Sequence, residues 1–153
     1  MGAAEPPLKV RVSLRGEPGE ASQAGEYLAH AGALDAAGVD SILVGGGDAV
    51  TLLAAVAAVT YRARLAAGFG SRPSASTLAT LQWLAGGRLE LAPESETWHP
   101  VEVPQSRTAW RESLDAAREV GAAGVVVPFD PRLIDILRNP LEDDRQDLQV
   151  AQG

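Results

Sequence analysis

The spacing of apolar positions changes several times along the chain, and each change marks an element. Leu8-Lys-Val-Arg-Val-Ser-Leu14 alternates strictly, which predicts a strand with one buried face. After the turn Gly16-Glu-Pro-Gly19, residues Ala24, Leu28, Ala31 and Leu34 recur at helical spacing, predicting a helix over 20–37 that stops at Gly38. Val39 to Val44 reads as a short buried strand running into Gly45-Gly46-Gly47. Asp48 is a natural N-cap for a helix over 49–60, because its carboxylate accepts free backbone N–H groups of the first turn. Further strands are predicted at 63–69, 88–92 and 124–129, and further helices at 76–85 and 108–120, the latter closed by Gly121. Residues 93–105, with three prolines, read as a loop. The last helix starts at Asp130-Pro131 and stops at Asn139-Pro140.

Five strands thus alternate with five helices, and strands two, three and five are nearly continuously apolar. Such strands belong to a parallel sheet that helices cover, so the fold class is α/β: a truncated (β/α) barrel-like fold or an open parallel sheet of five βα units. Residues 1–140 make one domain, and 141–153 form an acidic, polar tail. Leu34-Asp-Ala-Ala-Gly-Val-Asp-Ser-Ile-Leu-Val44 echoes 114–127, each a helix end, a glycine and a buried strand; a shared βα unit and a duplication both explain this. A closed eight-stranded barrel takes about 250 residues. The 153 residues here fall short of it.

Composition narrows the function. Twenty acidic residues against 13 basic ones leave a net charge of −7, which argues against nucleic acid as a partner. No apolar run is long enough to span a bilayer, and residues 1–7 lack the basic and hydrophobic regions of a signal peptide, so the expected location is the cytoplasm. With no cysteine and only two histidines, neither a disulfide, a thiol nucleophile nor a metal site is expected.

Ligands of parallel α/β sheets sit at the C-terminal strand ends. Gly45, Gly46 and Gly47 precede a helix and could cradle a phosphate, or simply make a tight turn beside the capping Asp48. Arg72 could pair with an anion or stay in solvent. Glu94 and Glu96 read as solvated carboxylates. His99, between Trp98 and Pro100, is the best candidate for proton transfer because its ordinary pKa lies near neutrality, the alternative being packing over the sheet edge. His30 reads as a surface or packing residue, Trp83 and Trp110 as core or interface anchors. Trp98 could stack on a planar ring or on its own loop.

Residues 33–91 resemble the front half of the bacterial luciferase-like monooxygenase superfamily, (β/α) barrels that use a flavin or deazaflavin. The matching pieces are Leu34 to Val44, Thr51 to Thr60, Arg62 to Phe69 and Thr80 to Leu91. Leu81-Gln-Trp-Leu-Ala-Gly-Gly-Arg-Leu-Glu-Leu91 is the most specific, following the family's Leu-x-x-Leu-Ser-Gly-Gly-Arg-x-x-Leu-Gly except at Ala85 and after Leu91. The resemblance implies FMN or a deazaflavin at the strand ends, with Gly68, Phe69, Gly70 and Arg72 beside the ring and His99 as the catalytic group. It also carries departures. Gly45-Gly46-Gly47 stands where many members place a histidine or acid, Ala92-Pro93-Glu94-Ser95 replaces a Gly-x-Gly turn, and the late phosphate-holding segments have no counterpart. Two functions follow: a flavin-dependent oxidoreductase with a shortened barrel, acting on a small molecule, or a non-catalytic partner subunit or ligand-binding homologue. Strands cut from a barrel leave unpaired edges, so a homodimer is expected.

Overall fold

The computed structural model describes residues 7–16, 21–90 and 96–139. The acidic tail and residues 91–95, Glu94 among them, therefore lie outside the described residues. Five strands, β1 (Lys9–Gly16), β2 (Ser41–Gly46), β3 (Arg64–Ala67), β4 (Trp98–Pro100) and β5 (Gly124–Pro128), alternate with five helices, α1 (Ala21–Ala36), α2 (Ala49–Val59), α3 (Ala75–Leu84), α4 (Arg107–Glu119) and α5 (Pro131–Arg138). Helix boundaries follow local chemistry. The side chains of Asp48, Ser74, Ser106 and Asp130 accept backbone N–H groups of Thr51, Thr77, Ala109 and Arg132, so each of α2 to α5 starts at a cap. Helix α1 gives way to Gly38 at φ +88°, a left-handed conformation that glycine adopts without a Cβ penalty.

All strands are parallel, in the order β3-β2-β1-β5-β4. The steps β1 to β2, β2 to β3 and β4 to β5 all move the same way across the sheet. Right-handed crossovers then put α1, α2 and α4 on one face, and α3 and α5 join them there by packing on α2 and α1. This is an α/β fold with a singly wound sheet, the winding of a barrel rather than of a doubly wound sheet.

The helix-covered face carries the core. Leu65, Ile42, Val12 and Val127 stand side by side across β3, β2, β1 and β5, all fully buried. Leu34, Leu53, Val56, Leu81 and Leu133 pack onto them from the helices. Trp110 is 2% exposed and belongs to this core, whereas Trp83 is 79% exposed and does not.

One strand is displaced from its expected position. Of the expected fourth strand, 88–92, residues 91 and 92 lie outside the described residues; in the described part Leu89 makes an isolated parallel bridge to Leu65, with Leu65 N–H donating to Arg88 O and Glu90 N–H to Leu65 O. The strand that pairs with β5 is Trp98–Pro100, inside the stretch expected to be loop. An edge strand tolerates the missing N–H of Pro100, and its pairing is set by β5, not by any local alternation.

Candidate functional site

Among the described residues, two clefts open at the C-terminal ends of the strands. The first, about 690 Å³, lies where β2 and β3 end and α2 and α3 begin. Phe69, Val50 and Pro73 supply apolar surface, and Thr51, Ser71 and Thr77 bring hydroxyls. Asp48 is the titratable side chain of this lining, and its carboxylate accepts the Thr51 N–H at 3.2 Å. The second cleft, about 440 Å³, lies at the ends of β1 and β5, lined by Tyr27, His30, Glu26 and Phe129 among others.

The residues expected at the site divide between places. Phe69 and Gly70 line the first cleft, and Gly68 precedes them on the loop leaving β3. Gly68, Gly70 and Gly45 each have open space where a Cβ would stand, and none has a left-handed φ. Packing therefore does not require glycine at these positions. Gly46 is different. Its φ is +102° and a Cβ would come 2.5 Å from Gly16 O, so this glycine lets β1 and β2 close together at their ends. Arg72 is exposed between β3 and α3.

His99 stands elsewhere. It is half-buried on β4 opposite Val125, which pairs with Val10, the second residue of β1. That row is near the N-terminal end of the sheet, away from both clefts.

The sheet face opposite the helices holds an ionic cluster at that same end. Arg11 donates from Nε to Ser41 Oγ at 3.1 Å and from NH2 to Glu90 at 2.5 Å, both side chains of the ion pair being 11% exposed. Its guanidinium carbon lies 4.0 Å from the centre of the Trp98 ring, a cation–π contact. Trp98 thus stacks on Arg11, lying close over Gly124, where a Cβ would come within 2.6 Å of the indole. Its Nε1 is buried and has no hydrogen-bond partner. Lys9 pairs with Glu96 at 2.7 Å, and this hydrogen bond holds the Glu96 carboxyl below its ordinary pKa. These groups neutralise one another.

Charged groups that local pattern did not single out are in two further places. Asp35, 7% exposed, accepts the N–H groups of Tyr61, Arg62 and Ala63 at 2.9, 3.0 and 2.7 Å. Burial alone would raise its pKa, but these three bonds and the Arg88 charge together lower it. Tyr27, pressed against Gly16, is pushed up to about 12 by burial. The only sequence signal for Tyr27 and His30 is their three-residue spacing, which puts both on one face of α1. No helix among the described residues is long and apolar enough to cross a membrane. Nor does a group of three or more histidine, aspartate or glutamate side chains able to hold a metal ion occur among them.

Fold and sheet edge define a parallel α/β protein with clefts at its strand ends. Comparison with protein-family models, curated proteins and solved structures finds no match to this chain.

Proposed function

We propose that this chain is a cytoplasmic, shortened relative of the luciferase-like flavin proteins that binds a flavin-type ring in the cleft between β2 and β3 without catalysing a reaction on it. The observation that carries this reading is the set of glycines at the strand ends. Gly70 in the cleft lining, with Gly45 and Gly68 at the same strand ends, is needed neither for backbone conformation nor for packing, and glycines there leave room for close approach of a ligand. The Phe69 side chain offers a wall for a planar ring, and Thr51, Ser71 and Thr77 can bond ring and ribityl oxygens. Asp48, acidic and exposed at the start of α2, repels a phosphate there. The ring and its sugar-alcohol chain therefore fit better than a phosphorylated end. No proton-transfer histidine lines the cleft, His99 standing near the other end of the sheet, which favours binding over catalysis.

Titration of riboflavin, FMN and a deazaflavin, followed by quenching of flavin fluorescence, tests this. Riboflavin is expected to bind saturably and no more weakly than FMN. Gly70→Val, at a site with open space, should abolish binding with little change in thermal midpoint. Failure of all three compounds to bind overturns the proposal. Reduced-nicotinamide oxidation by the loaded protein above that of free flavin would support the oxidoreductase reading instead.

Edges carry a second part of the proposal. Among the described residues, β4 offers three residues at one side of the sheet, and Leu89 extends the other beyond β3. Unpaired edge groups favour pairing with a second copy in a homodimer. Light scattering at micromolar concentration should give twice the chain mass, and a monomer would count against it.

A further inference from the structure

The second cleft, at the ends of β1 and β5, has no part in the flavin reading. Three rings surround it: Tyr27 and His30 on α1, and Phe129 just beyond β5. The imidazole of His30 lies against the Phe129 ring, centroids 4.4 Å apart and planes tilted by 31°. Tyr27 is held in place at both ends. Its hydroxyl donates to Leu14 O at 3.3 Å, and its ring occupies the space beside Gly16, where a Cβ would come within 2.8 Å of it. Phe129 is tied to β1 by its own N–H, which donates to Ser13 O at 2.9 Å. The rings are therefore preorganised, which lowers the entropic cost of binding a flat ligand.

Beside these rings stands a carboxylate. The Glu26 side chain is 70% exposed and its oxygen is 3.8 Å from His30 Nε2, so it leaves most of its accepting capacity open at the rim. Aromatic walls select a flat ring by stacking or edge contact, and a charged acceptor selects a ring that carries N–H donors. A volume of about 440 Å³ lies within the usual range for small-molecule sites. We propose that this cleft binds a planar heteroaromatic ring bearing an exocyclic amino group, of the nucleobase or nucleoside type, with the amino group donating to Glu26.

Adenosine and benzyl alcohol are the probes, added to the full chain while the ring proton resonances of His30 and Phe129 are followed by NMR. Adenosine should shift both saturably, and benzyl alcohol, which has no amino donor, should shift them far more weakly. Glu26→Gln, on an exposed side chain, should weaken adenosine roughly fivefold or more without altering the fold. Phe129→Leu should weaken it further. Gly70→Val should leave adenosine binding unchanged, which separates this site from the flavin cleft. Absence of saturable shifts at millimolar adenosine overturns the proposal. So does wild-type affinity in Glu26→Gln, or loss of adenosine binding in Gly70→Val.

Discussion

Arg88→Met is expected to lower unfolding stability by about 3–5 kcal/mol, because it removes a charge that holds several backbone carbonyls at once. Nε of Arg88 donates to Ala85 O at 2.7 Å, NH1 to Thr60 Oγ1 and Ala63 O at 2.9 Å each, and NH2 to Ala57 O and Thr60 O at 3.3 and 3.0 Å. These acceptors come from the C-terminal end of α2, the start of β3 and the end of α3. Helix C-termini carry negative partial charge and unpaired carbonyls, so a single guanidinium satisfies two of them and locks the helices together. Without it the carbonyls lose partners in a partly buried place that water enters poorly. Arg88→Lys should recover only a small part of the loss, since one ammonium cannot reproduce the planar fork. Urea denaturation with an unchanged m-value measures the effect. A loss below about 1 kcal/mol would show that the carbonyls find other partners.

Asp35→Ala should cost about 3 kcal/mol or more, for the complementary reason. The same connection between α2 and β3 presents three backbone N–H groups, those of Tyr61, Arg62 and Ala63, and the Asp35 carboxylate accepts all three. Arg88 binds the carbonyls of this connection while Asp35 binds its N–H groups. The two substitutions share one structural unit, so the double variant should lose less than the sum of the single ones. Acid provides a second readout. The folded Asp35 carboxyl titrates below its ordinary value of 3.8. Its contribution is complete above the unfolded pKa and disappears as pH falls through the lowered folded value. In Asp35→Asn that part of the acid sensitivity should be missing, so stability compared between neutral pH and about pH 3 should fall less than in wild type. An equal fall would exclude the carboxylate as its source.

These two side chains bear on how much the chain reveals locally. Arg88 falls in the segment whose pattern most closely follows the luciferase-like motif, Gly86-Gly87-Arg88, and its described bonds all go to this chain's own α2, β3 and α3. The motif is thus legible as a signal while its role is not, because the acceptors of Arg88 lie as far as 31 residues away. The candidate site was legible in part. Strand-end glycines and Phe69 follow from the βα alternation, which already puts 68–70 at the end of a strand. Position in the chain did not reveal that His99 belongs near the opposite end of the sheet, since that depends on β4 pairing with the first half of β5. Nor did it reveal the second cleft, where α1 meets a ring that follows β5, 99 residues after His30 in the case of Phe129.

Local sequence determined the class of the protein and the bounds of its helices. Alternation in Leu8 to Leu14, continuous apolar runs in β2 and β5, caps at Asp48 and Asp130 and a stop at Gly38 act within a turn or a strand, where side chain and backbone are neighbours in the chain. Tertiary structure decided which strand lies beside which, that residues 98–100 pair with β5 as β4, that Trp98 stacks on Arg11, and that Trp83 faces solvent. Each of these depends on pairing or packing between segments far apart in the chain. Such contacts are set by the closing of the whole sheet, because a strand's partner supplies half of its hydrogen bonds and a helix's neighbour decides which of its faces is dry.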